Sequence, residues 1–71
     1  MPHGTVKRVE RVLGFGFLVD EAGMDWFFVS DGVRGGLASL SVDDVVHFTP
    51  EWTPKGPRAS DIALDFPQPV H

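Results

Sequence analysis

At 71 residues the chain has room for one small domain, and its ten acidic against six basic residues leave a formal charge of −4. A domain this size buries only about 60% of its unfolded surface, and the acidic balance excludes indiscriminate binding to duplex nucleic acid through bulk electrostatics, though not a local basic site. The lack of cysteine excludes a disulfide framework and thiolate chemistry, and His3, His47 and His71 lie without ligand spacing, so neither a metal nor another cofactor is expected.

Alternation and β-rich composition run through the chain, and no window carries a long helical stripe. The first strand is predicted over Gly4 to Glu10, the second over Gly14 to Val19 and the third over Asp25 to Ser30, with Asp20-Glu21-Ala22-Gly23 closing a hairpin. Asp31 to Gly36 is glycine-rich and reads as a long loop. From Leu37 to Val46 the pattern is ambiguous, since Leu37, Leu40 and Val45 could line a short helical turn. A fourth strand is predicted over Asp44 to Pro50, a proline-stiffened loop over Glu51 to Pro57, and a fifth strand over Arg58 to Leu64. The tail from Asp65 to His71, with Pro67 and Pro69, is expected to be flexible. One domain over residues 1–71 is therefore expected, its core spanning about Gly4 to Leu64.

Five short strands without helices can bury an apolar face by closing on themselves, which also removes exposed edges. The expected fold is an all-β, five-stranded antiparallel barrel. Val6, Leu18, Trp26, Phe28, Val46, Phe48 and Ile62 fall at alternating positions and should fill it. Phe15 and Phe17, separated by Gly16, then share one strand face, and Phe27 falls on the outer face of the third strand. Such rings are either core or a platform on which unpaired bases stack. Volume favours the platform: Trp26 and Phe28 already enlarge the interior, and a barrel this small cannot enclose three further rings. Trp52 is expected to cover the barrel edge rather than to stack on a base. Five of the six cations cluster as Lys7, Arg8 and Arg11 near one end and Lys55 and Arg58 near the other. They form a cationic rim if those ends meet.

Four segments carry a resemblance. Gly4-Thr5-Val6-Lys7 matches an opening G-x-V-K, and Leu13 to Leu18 stands where a K-G-F-G-F-I motif would stand. Trp26-Phe27-Phe28-Val29-Ser30 occupies the place of V-F-V-H-F, and Lys55-Gly56-Pro57 matches a K-G-P before the last strand. In order and spacing the chain resembles a divergent bacterial cold-shock domain over about Gly4 to Leu64. The resemblance implies an OB-type barrel that binds single-stranded RNA or DNA. RNA-recognition motifs share the G-F-G-F string but need two helices and a longer chain.

The departures lie on the binding surface that the resemblance implies. Arg8 replaces a tryptophan, Val9 a phenylalanine, Val29 and Ser30 a histidine and a phenylalanine, Leu37 a loop aromatic, and Leu13 a lysine. Phe15, Phe17 and Phe27 are the platform that remains. Arg8 can stack its guanidinium plane on a base or grip phosphate, and Lys7, Lys55 and Arg58 can follow the backbone. No enzyme is expected. Asp43-Asp44 and Asp20-Glu21 do not form an acid and base pair about one site, and Gly35-Gly36 lacks the lysine and helix of a phosphate-binding loop.

The expected protein is a cytoplasmic single-strand binder acting as an RNA chaperone or a regulator of transcription or translation. No membrane partner is expected, since no apolar run nears the roughly 20 residues of a bilayer span. The competing expectation is a degenerate barrel whose patch of Leu13, Phe15, Phe17, Phe27 and Val29 binds protein, as in a weak homodimer.

Overall fold

A computed structural model describes residues 2–65, so the predicted tail beyond Asp65 lies outside the described residues. Five strands run in chain order: β1 (His3–Glu10), β2 (Phe15–Asp20), β3 (Asp25–Val29), β4 (Val45–Thr53) and β5 (Gly56–Leu64). They close into a barrel in the spatial order β1-β2-β3-β5-β4. All neighbours are antiparallel except β3 and β5, whose seam is parallel and rests on one pair, Phe27 opposite Arg58. The expected five-stranded OB-type barrel is present, with this parallel seam as the departure from an all-antiparallel closure.

The alternation in each strand explains why the barrel fills as it does. Val6, Leu18, Trp26, Phe28, Val46, Phe48 and Ile62 are all buried in one apolar cluster. Val33, Leu37, Leu40 and Ala59 complete it. Three of these come from the segment between β3 and β4. There, two 3-10 turns (Ser30–Gly32 and Leu37–Ser39) fold the glycine-rich chain back over the barrel end. The second is the helical turn that Leu37 and Leu40 allowed, and both leucines are buried by it, whereas Val45 stays exposed. Arg11, in the turn between β1 and β2, locks this segment, donating from Nη1 to the Leu37 carbonyl (2.8 Å) and from Nη2 to the Leu40 carbonyl (2.9 Å).

The stretch from Glu51 to Pro57 differs from the expected loop. It continues β4 and opens β5 as a long hairpin, with Trp52 opposite Pro57 and Thr53 opposite Gly56. Prolines survive here because a two-stranded ribbon leaves backbone positions that face no neighbour and need no N–H donor. The tight turn is set by Thr53, whose Oγ1 accepts from the Lys55 N–H (3.2 Å) and donates to the Gly56 carbonyl (2.9 Å).

Asp65, expected at the start of a flexible tail, is held. Its N–H donates to the Val45 carbonyl (2.9 Å), and its Oδ1 lies 3.2 Å from His3 Nε2 and 3.4 Å from His47 Nδ1. His3 and His47 face each other across the β1–β4 pairing, so this carboxylate joins the strand ends where the barrel closes. Among the described residues, no helix is long and apolar enough to cross a membrane.

Candidate nucleic-acid interface

Phe15, Phe17 and Phe27 come together on the outside of the barrel. They stand apart from the buried cluster and are half-buried against one another. Ring centroids lie 6.1 Å apart for Phe15 and Phe17, 5.8 Å for Phe15 and Phe27, and 5.5 Å for Phe17 and Phe27. Edge-to-face and tilted packing at such distances stabilises the trio while leaving ring surface open to solvent.

The glycine between the first two rings has a steric cause. A Cβ on Gly16 would collide with the Arg8 carbonyl oxygen and sit 2.5 Å from Phe28 Cζ, so only glycine lets β1 and the Phe28 ring approach β2 this closely. Gly14 serves differently. It stands before β2 with φ of +80°, a left-handed conformation that glycine adopts at no steric cost.

A transverse row crosses four strands: Arg8 on β1 pairs with Phe17 on β2, Phe17 with Phe27 on β3, and Phe27 with Arg58 on β5. Two rings are thus flanked by a guanidinium-bearing residue at each end. Strict alternation would put Arg8 on the same face as buried Val6, and a register shift between them resolves the conflict. Lys7 is the extra residue at this bulge, so Lys7 and Arg8 are both exposed and the strand regains its inward face at Val9. The cationic ends that the sequence separates by some fifty positions thus share one row, but they do not meet in a continuous rim: β2 and β3, with their two rings, stand between them.

An open groove of about 410 Å³ lies along this row, lined by Phe17, Phe27, Thr53, Lys55, Gly56, Pro57 and Arg58. Its floor is aromatic and its wall is the β4–β5 hairpin, which carries two cations. Thr53 is a lining residue that sequence reasoning misses, because Pro54 and Pro57 mask the strand pattern around it.

The six cations divide into distinct roles. Arg34 is bound to Asp61 through Nε (2.8 Å) and Nη2 (3.1 Å), and this hydrogen-bonded pairing holds the Asp61 carboxyl below its ordinary value. Arg11, counted in the expected rim, is instead spent on the backbone carbonyls of the second 3-10 turn. Arg8 donates from Nε to Glu10 Oε1 at 2.8 Å. Among the described residues Lys7, Lys55 and Arg58 make no ion pair. Lys55 and Arg58 border the groove, whereas Lys7 is not among its lining residues.

Trp52 is 72% exposed, and its ring packs edge-on against Trp26 at 5.3 Å. At that exposure it buries little of the barrel edge, contrary to expectation, because it lies on the projecting β4–β5 hairpin, and it is absent from the groove lining. Trp26 in turn lies 5.4 Å from the Phe48 ring and donates from Nε1 to Asp20 Oδ2 (2.9 Å). This bond, with the Met24 and Ala22 N–H groups on Oδ1, holds the Asp20 carboxyl below its ordinary value. Leu37, aligned with a loop aromatic of the binding face, is a core residue instead.

A closed five-stranded barrel carrying a solvent-facing aromatic trio and a cationic groove defines an OB-type domain of the cold-shock architecture. No family model matches the chain. The chain is similar to the probable cold shock protein A of Mycolicibacterium smegmatis, with 38% identity over 64 residues, covering 87% of this chain and 96% of the relative. It is similar to the same extent to the probable cold shock protein A of Mycobacterium tuberculosis, again 38% over 64 residues. The chain belongs to the cold-shock protein family.

Proposed function

We propose that this domain binds single-stranded RNA or DNA by base stacking on Phe15, Phe17 and Phe27, while Lys7, Arg8, Lys55 and Arg58 meet phosphate or stack in turn. It works in the cytoplasm as an RNA chaperone or a regulator of transcription or translation, and it carries out no chemistry. The observation that supports this reading most is the row Arg8-Phe17-Phe27-Arg58, which sets adjacent ring surfaces between two positive ends. Stacking is worth roughly 1–3 kcal/mol per base, so three rings offer on the order of 3–9 kcal/mol before the cost of ordering a flexible strand. Binding is accordingly weak and tolerant of sequence.

The test is a titration of labelled oligo-pyrimidine DNA at two salt concentrations, read by anisotropy, because both tryptophans lie away from the groove. Lys7, Lys55 and Arg58 predict a slope of log affinity against log salt of roughly −2, at about −0.7 per phosphate contact on a single strand. No response up to millimolar strand at low salt would reject the reading.

A second reading is a weak homodimer through the patch of Leu13, Phe15, Phe17, Phe27 and Val29. Exposure of Leu13 (70%) and its neighbour Val12 (99%) favours it. Sedimentation over a concentration series separates the two, since a patch-driven dimer dissociates on dilution.

A further inference from the structure

Resting on the single-strand reading, we infer that Glu10 is a built-in competitor that sets the strength of this site by holding Arg8 away from the strand. Beyond the bulge, β1 presents Arg8 opposite Phe17 and Glu10 opposite Phe15. Two rings, a cation and a carboxylate thus form one square of neighbouring side chains at the edge of the platform. The Arg8 Nε–H donates to Glu10 Oε1 at 2.8 Å, and both side chains are accessible, at 60% and 34%.

A carboxylate and a phosphate are alternative acceptors for one guanidinium. A strand lying on Phe15 and Phe17 therefore finds the nearest arginine already engaged and a negative charge beside its own backbone. Exposed ion pairs of this kind are weak, so Arg8 can be released, but release lowers the affinity that an unpaired arginine would give. Lys55 and Arg58, across the row, carry no such partner among the described residues. One end of the platform is thereby strongly cationic and the other is muted. Neither sequence pattern nor net charge reveals this, because it depends on the bulge that returns residues 8 and 10 to the outer face.

The experiment compares the wild type with Glu10→Gln, Arg8→Gln and the double variant in anisotropy titrations with a short labelled oligo-thymidylate at several salt concentrations. Glutamine keeps an acceptor for the Arg8 Nε–H and removes only the charge. Glu10→Gln is expected to tighten binding by about two- to fivefold at low salt, the size of one exposed ion pair. It should also steepen the salt slope by about 0.7, one additional phosphate contact. In the Arg8→Gln background the same change should give only the small remainder owed to the carboxylate's own repulsion of phosphate, well under half of the gain. Glu10→Thr, a β-branched residue suited to a strand, is expected to repeat the gain should the glutamine variant fold poorly.

Unchanged or weaker binding by both Glu10 variants, with the wild type still titrating, overturns the inference and leaves the single-strand reading standing. A gain that persists in full without Arg8 also overturns it. If neither the wild type nor any variant titrates, the reading of the site falls and this inference with it.

Discussion

Phe27 and Phe28 are neighbours of identical chemistry with opposite fates. Phe28 is fully buried against Leu18, Phe48 and the rest of the inner cluster, while Phe27 lies half-buried with Phe15 and Phe17 on the outer face. The difference shows that the strand pleat, rather than hydrophobicity, decides which aromatic stabilises the fold and which is free for recognition. It also shows what an outward position costs: the outer rings cover one another, yet they forgo the full burial that their inner neighbours have.

The contrast can be broken most forcefully at Phe28. Phe28→Ala opens a cavity in the core of a small domain and is expected to destabilise it by about 3–5 kcal/mol, measured by chemical denaturation. A loss below about 1 kcal/mol would mean that the inner face is not where stability resides. Phe27→Ala should act on the other property. Affinity for oligo-pyrimidine should fall by about 1–3 kcal/mol, with a melting midpoint shifted much less than in Phe28→Ala. Equal damage to melting by both variants would erase the distinction between the two faces.

A finer test uses acid. Asp20 anchors the inner-face Trp26 and has its carboxyl lowered from 3.8 by the bond from Trp26 and those from Met24 and Ala22. A lowered folded value means that its stabilisation is present above pH 3.8 and is lost as pH falls through the depressed folded value. Asp20→Asn should therefore flatten the decline in stability below pH 3.8, followed by tryptophan emission, and should leave strand affinity near neutrality unchanged. An acid limb identical to the wild type's would remove Asp20 from the support of the inner face.

Much of the barrel was legible because period-two alternation survives in β2, β3 and the start of β4, where the inward residues, Gly16 apart, are large and apolar. The aromatic platform was legible for the same reason, with Gly16 marking the close approach of β1. Leu37 and Leu40 were legible only as an optional helical turn, and Val33 not at all, because a glycine-rich segment without period gives no sign of which side chains its 3-10 turns direct inward. The β4–β5 hairpin was hidden by Pro54 and Pro57, read as breakers although a free ribbon edge accommodates them. The role of Arg11 was equally hidden. Its carbonyl partners Leu37 and Leu40 lie 26 and 29 positions away, and a cation count cannot tell a clamp from a free charge.

The single Phe27–Arg58 pair that joins β3 to β5 has a mechanical consequence. The thinnest stave joint of the cask runs directly beneath the groove, so a polynucleotide lying there touches both staves and acts as a hoop across them. A ligand that favours the closed joint adds to its persistence by mass action, by about 2.7 kcal/mol when present at one hundred times its dissociation constant. Amide exchange along β5 should then slow with occupancy, making the weakest suture of the empty domain a sensitive gauge of whether the groove is filled.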